Sequence, residues 1–293
     1  MELELRGISK SFGEKKVLNG VSFVASSGRA FGLLGRNGAG KTTTIRIVMD
    51  VFPADSGEVL IDGSPIDYSK IGTGYLPEER GLYPKKPIDE QLLYFARLKG
   101  MNRADATRAI DYWLDRLDMT AFKEKKLQTL SKGNQQKIQL ITAVAHDPDL
   151  IVLDEPFSGL DPVNAGLLKS VVEEEIEKGK IVLFSSHQMN YIEEFCDHIA
   201  ILNRGSLVLE GSLREIKRSY PRTTLTVTSP EIGRIAAAFG GEPEGDALTL
   251  KLRDEAEKRS VMQKLAADYE IDGVSVFEPS LADIFVEYAG DAC

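Results

Sequence analysis

Gly35-Arg36-Asn37-Gly38-Ala39-Gly40-Lys41-Thr42 is the stretch on which the reading of this chain turns. It fits the pattern Gly, four residues, Gly-Lys-Ser/Thr. It also lies between an apolar run, Ala30 to Leu34, that predicts a strand and Thr43 to Met49, which predicts a helix. Glycines let the backbone wrap a phosphate with successive N–H groups turned inward, and the following helix adds the positive end of its dipole. Lys41 then reaches the β- and γ-phosphates as a point charge, the Thr42 hydroxyl takes Mg²⁺, and Thr43 extends the cradle. A glycine-rich turn can also be a plain connector, but strand, loop and helix together argue for the phosphate site.

Upstream, Glu2 to Ile8 and Lys16 to Val24 alternate apolar and polar side chains, which predicts half-buried antiparallel strands. Between them lies Ser11-Phe12-Gly13. Phe12 is placed either to offer its ring to adenine or to sit in the core, and position alone leaves these even.

Downstream, Pro53 to Gly63 reads as a turn and hairpin, and Ile71 to Leu76 as a short strand leading into Pro77-Glu78-Glu79-Arg80. From Ile88 to about Leu130 the apolar spacing is helical and no strand signal interrupts it. The segment ends at Leu130-Ser131-Lys132-Gly133-Asn134, where another helix begins and runs to His146-Asp147-Pro148. Leu150-Ile151-Val152-Leu153-Asp154-Glu155 is a continuous apolar strand of the kind buried on both faces in a parallel sheet. It delivers two carboxylates at its C-terminal end, where open α/β sheets hold ligands. A loop to Asp161, a helix Asn164 to Lys178, and a buried strand Lys180 to Phe184 followed by Ser185-Ser186-His187 come next. His198 to Asn203 and Leu207 to Glu210 close this unit as strands around the Arg204-Gly205 turn. Beyond Lys217 to Arg222 the order strand, helix, hairpin, helix, strand, short helix suggests a small α/β sandwich resembling the ferredoxin-like type.

The chain has 293 residues, enough for two unequal domains. A net charge of -9 does not resemble that of a nucleic-acid binder held by neutralising phosphates, so no nucleic acid is expected. Two cysteines, Cys196 and Cys293, lack metal-ligand spacing and predict a reducing cytoplasm without a disulfide framework. No cleavable signal is expected from the sequence, and no apolar run in it nears the roughly 20 residues that span a bilayer. The expectation is a soluble chain that meets a membrane only through a partner.

The phosphate loop, Leu130-Ser131-Lys132-Gly133-Asn134, strand-borne Asp154-Glu155, Ser158-Gly159-Leu160-Asp161 and the strand-capping His187 occur in one order. With them the first 215 or so residues resemble the nucleotide-binding subunit of an ABC transporter. Glu278-Pro279-Ser280-Leu281-Ala282-Asp283-Ile284-Phe285 in the tail is similar to exporter ATPases of the sodium- and drug-efflux kind. The resemblance implies a P-loop NTPase of ABC ATPase type with antiparallel β and helical subdomains. Residues 1–217 would form the ATPase domain, with the helical subdomain at about 84–145, and 218–293 a C-terminal accessory domain.

It further implies ATP and Mg²⁺ as cofactors. Gly35, Asn37, Gly38, Ala39, Gly40, Lys41, Thr42 and Thr43 would bind phosphate, and Phe12 would take the place of an adenine-stacking aromatic, usually Tyr. Asp154 would hold Mg²⁺ with Thr42 and Glu78, Glu155 would be the general base, and His187 would contact the γ-phosphate beside Lys41. Ser131, Gly133 and Asn134 would contact the nucleotide of a second subunit, and Asp161 would link the two halves of that dimer. Three residues depart from the family pattern. Lys132 stands for a glycine, Asn134 for a glutamine, and Glu78 for a glutamine that touches Mg²⁺ and senses the membrane partner. Glu78 can ligate metal but cannot donate a hydrogen bond, and a solvated loop acid is its other reading. The implied protein is an ATPase subunit of an exporter, peripheral on the cytoplasmic face through transmembrane permease subunits. An ABC-type ATPase acting on nucleic acid or ribosomes is the alternative; such proteins need paired cassettes or a long coiled coil, and both are missing. His146 and His198 receive no role.

Overall fold

A computed structural model describes residues 1–79, 81–158, 160–241 and 243–290. Arg80, Gly159 and Cys293, which belong to segments singled out above, lie outside the described residues. In chain order the elements are β1 (Glu2–Phe12), β2 (Lys15–Ser26), β3 (Arg29–Gly35), α1 (Lys41–Val48), β4 (Ser56–Ile61), β5 (Ser64–Pro65) and β6 (Thr73–Leu76). The helices α2 (Ile88–Leu98), α3 (Arg103–Arg116) and α4 (Lys132–Val144) follow. Next come β7 (Leu150–Asp154), α5 (Pro162–Glu177), β8 (Ile181–Ser185), α6 (Met189–Phe195), β9 (His198–Asn203), β10 (Ser206–Ser212) and α7 (Leu213–Ser219). The last part holds β11 (Thr224–Thr228), α8 (Ile232–Phe239), β12 (Pro243–Glu244), β13 (Ala247–Lys251), α9 (Glu255–Asp268), β14 (Gly273–Val276) and α10 (Leu281–Ala289).

Two compact units result. One is Met1–Leu213 together with the end of the chain from Phe285, and the other is Arg214–Ile284.

Within the first unit, β1 and β2 pair antiparallel and β4 pairs with β1, forming the sheet β2-β1-β4-β5. β1 runs four residues past the predicted Ile8, because Gly7 at φ 63 absorbs a register shift that lets pairing resume. The second sheet has the order β10-β9-β3-β8-β7-β6, parallel except for the β9–β10 hairpin. β7 and β8 are buried along their whole length, as their unbroken apolar sequences require. Leu33, Ile45, Val48, Val152 and Leu183 join Leu3, Leu5 and Phe23 of the antiparallel sheet in a common core.

The helical insertion differs in detail from the continuous pattern of the sequence. α3 stops at Arg116 because Asp118 adopts φ 56, a left-handed conformation that no α-helix continues through. Two short 3₁₀ turns, Thr120–Phe122 and Leu127–Thr129, then carry the chain to Ser131. α4 lies flush on β6: a Cβ at Gly74 would come 2.0 Å from the Ala143 carbonyl oxygen. Gln139, 2% exposed, reaches from α4 to the loop after β6 and donates to Pro77 O at 3.0 Å and Glu79 O at 3.2 Å.

In the second unit β11 pairs antiparallel with β13 and β14, giving the order β12-β13-β11-β14. Strand, helix, two strands, helix, strand in this order is the ferredoxin-like arrangement. Its core is Leu225, Val227, Ile235, Leu248, Leu250, Val261 and Leu265. Among the described residues no helix is long and apolar enough to cross a membrane.

Candidate active site

The C-terminal ends of β3 and β7 open onto one cleft of about 550 Å³. It is lined by Asn37, Gly38, Gly40, Lys41, Thr42 and Thr43 of the phosphate loop, by Glu78 from the loop after β6, and by Asp154 and Glu155. α1 begins at Lys41 after Gly40, whose φ of 114 suits glycine and which makes no side-chain cap hydrogen bond. Among the described residues no side-chain cap hydrogen bond serves the start of this helix, the arrangement that suits an anion. Gly35 ends β3 and accepts the Lys41 ammonium on its carbonyl at 2.6 Å. Ala39 N donates to Arg36 O at 3.0 Å, closing the loop below the cleft. Burial pushes the pKa of Lys41 down, while the charges of Glu155, Asp154 and Glu78 pull it back up.

β7 and β8 run in parallel register with Asp154 opposite Ser185. Burial raises the pKa of Asp154, against a lowering hydrogen bond from the Ser185 hydroxyl. Asp154 Oδ2 is buried without a hydrogen-bond partner. A bare carboxylate oxygen on a residue that lines the same cleft as Thr42 and Glu78 is the donor a hard dication takes, so the residues fit Mg²⁺. Among the described residues no group of three or more His, Cys, Asp or Glu is gathered to hold a metal. Glu155 has φ 51, and its carboxylate lies 2.8 Å from His187 Nδ1 through Oε1 and accepts from Ser186 Oγ at 3.1 Å through Oε2.

Not every expected residue gathers at this cleft. Phe12 is 50% exposed and meets the Phe52 ring edge-on at 5.5 Å. It is therefore no core residue, and its neighbours Lys15, Lys16 and Val17 line the cleft while it stands outside the lining. Ser131 caps α4 by accepting from Asn134 N at 3.3 Å. Gly133 packs beside Leu160 and Asn164, and Asp161 caps α5 by accepting from Asn164 N at 2.9 Å. Ser131, Gly133, Asn134 and Asp161 are absent from the lining of their own chain's cleft. Arg204 does line it: Gly205 N donates to Ala39 O at 3.0 Å, which seats the β9–β10 turn on the phosphate loop. A turn was legible there, but nothing in its spacing tells which loop it meets.

Residues 18–158 match the family described as ABC transporter, and 211–289 match the ATP-binding protein DrrA1-3-like, C-terminal domain. The uncharacterized ABC transporter ATP-binding protein YhaQ of Bacillus subtilis (strain 168) is 42% identical over 98% of this chain and 98% of its own. The chain belongs to the ABC transporter ATP-binding proteins. ATP hydrolysis is the general activity of these ABC subunits. The Nod factor export ATP-binding protein I of Rhizobium sp. (strain N33) is 29% identical over 98% of this chain and 97% of its own, so that likeness extends through the second unit. Among solved structures, an ATP binding subunit of an ABC transporter superposes with a TM-score of 0.69 at 30% identity, covering 74% of this chain and 92% of that one. The ABC cassette fold accounts for the cleft at the ends of β3 and β7.

Proposed function

We propose that this ABC ATP-binding subunit drives export through separate transmembrane permease subunits and works as a pair of copies on the cytoplasmic face of the membrane. The observation that carries the reading is the meeting of Lys41, Asp154 and Glu155 in one cleft, with Glu155 held by His187 at 2.8 Å. Lys41 neutralises charge on the β- and γ-phosphates, and the Asn37 to Thr43 backbone cradles them. Thr42, Asp154 and Glu78 would hold Mg²⁺, which would supply further charge neutralisation when bound. Glu155 takes the proton of the attacking water, a role worth about 10²–10⁴-fold, and His187 keeps that carboxylate in place and faces the γ-phosphate. Phe12, at the mouth of the β1–β2 hairpin, offers an exposed ring to adenine.

The pairing rests on the signature segment. Ser131, Gly133 and Asn134 head a helix that does not line its own chain's cleft, which supports their completing the nucleotide site of a second copy, with Asp161 beside the junction. ATP would close the pair and hydrolysis reopen it. The ATPase domain is the first unit, Met1–Leu213 with the end of the chain from Phe285, rather than 1–217, its helical part lies at about 84–145, and the second unit, Arg214–Ile284, rather than all of 218–293, buttresses the dimer. Export is supported by the Nod factor export protein's likeness along the full chain.

The test is steady-state ATPase of the purified chain beside Glu155→Gln, together with the compounds that accumulate in cells lacking it. Mg-ATP turnover that collapses in Glu155→Gln with nucleotide binding retained supports the reading. Wild-type turnover in that variant removes Glu155 from its role.

A further inference from the structure

The end of β8 carries two consecutive serines opposite the two consecutive acids that close β7. The ladder sets Ser185 opposite Asp154, and Glu155 N donates to Ser185 O at 3.0 Å, so the strands stay in step past the last ladder pair. The side chains repeat that pairing. Ser185 Oγ donates to Asp154 Oδ1, and Ser186 Oγ donates to Glu155 Oε2 at 3.1 Å. Ser185 is 0% and Ser186 1% exposed, and neither lines the cleft, so whatever they do for the nucleotide passes through the carboxylates.

Ser186 is itself oriented. The backbone N–H of Gln188 donates to Ser186 Oγ at 3.0 Å. A serine hydroxyl has one proton and two acceptor sites, so this bond occupies an acceptor site and leaves the proton for Glu155. Glu155 needs such a hold, because its φ of 51 lies where a non-glycine residue stays only when its surroundings keep it there.

We propose that Ser186 is a positioning residue for hydrolysis: it fixes Glu155 Oε2 so that Oε1, on the His187 side, meets the attacking water. Ser185 performs the matching task on Asp154, fixing Oδ1 and leaving Oδ2 for the metal. This rests on the reading of Glu155 as the general base.

The experiment compares ATPase kinetics and fluorescent ATP-analogue binding for the full chain, Ser186→Ala, Ser186→Cys, Ser186→Thr, Glu155→Gln and Ser186→Ala/Glu155→Gln. Cysteine keeps the shape of the side chain, is somewhat larger and donates weakly. Ser186→Ala and Ser186→Cys should lower kcat by about 10- to 100-fold with KM and analogue affinity within about twofold, and Ser186→Thr should recover most of the loss. In the Glu155→Gln background Ser186→Ala should change nothing further, since the two act as a unit. A silent Glu155→Gln beside a fully active Ser186→Ala overturns the serine's role alone, as does failure of threonine to rescue. Full turnover by Glu155→Gln overturns the base assignment and the serine's role with it.

Discussion

Glu155 Oε1 and His187 Nδ1 lie 2.8 Å apart across the ends of two neighbouring parallel strands, the carboxylate side chain 5% exposed and the His187 side chain, which is not part of the cleft lining, 55%. The contact joins the acid that must take a proton to a side chain able to keep it aimed. His187→Ala should therefore cut turnover by about 10- to 100-fold, the cost of a misplaced catalytic group, while leaving ATP affinity close to wild type. Steady-state kinetics beside analogue binding checks this. A matching loss of affinity would make His187 a nucleotide ligand before anything else.

Gly40 is where the phosphate loop becomes a helix. A Cβ there would lie 2.5 Å from Leu18 Cδ2 and 3.2 Å from Val17 O, at a φ of 114 that L side chains avoid. Leu18 is 0% exposed and has no room to yield. Gly40→Ala should cost about 1–3 kcal/mol and abolish ATP binding, read by thermal unfolding and by nucleotide titration.

Gln139 ties α4 to the loop that carries Glu78. Gln139→Leu roughly keeps the volume and removes both hydrogen bonds, a loss of about 1–3 kcal/mol for two bonds at about 0.5–1.5 kcal/mol each. At about 2–4 °C per kcal/mol the thermal midpoint should fall by several degrees. The Mg²⁺ concentration for half-maximal ATPase should rise as well, because Glu78 is no longer held. Differential scanning calorimetry and a magnesium titration separate the two effects.

How much of this was legible beforehand depends on the range of the interaction. The phosphate loop, the paired acids and the helix N-cap Ser131 are local patterns, and strand, loop and helix formed where the periodicity placed them. Ser185 and Ser186 were visible only as the residues before His187. Their partners follow from the register between β7 and β8, which is a tertiary fact. Gln139 sat unremarked in a helix because nothing local says which loop it will face. α6 (Met189–Phe195) went unread, since seven residues with Ile192 alone fully buried leave little amphipathic signal. The end of α3 was also hidden, because Asp118 breaks it through its backbone rather than through proline or glycine.

His146 offers a pH test. Its Nε2 lies 3.0 Å from Thr73 O and so must donate, while Nδ1 is buried without a partner. Burial holds its pKa below the usual 6.5. The unfolded chain therefore takes up this proton first as pH falls, and the stabilisation present above about pH 6.5 is lost below it. The thermal midpoint of the wild type should drop more between pH 7.5 and 5.5 than that of His146→Gln, by about one to a few degrees.

The pairing of two copies around ATP is tested most directly by light scattering of Glu155→Gln with and without saturating Mg-ATP. The account predicts a rise from one chain of 32.3 kDa to twice that mass, dependent on nucleotide and abolished by adding Ser131→Arg. A mass that stays at a single chain while the analogue is bound would contradict it.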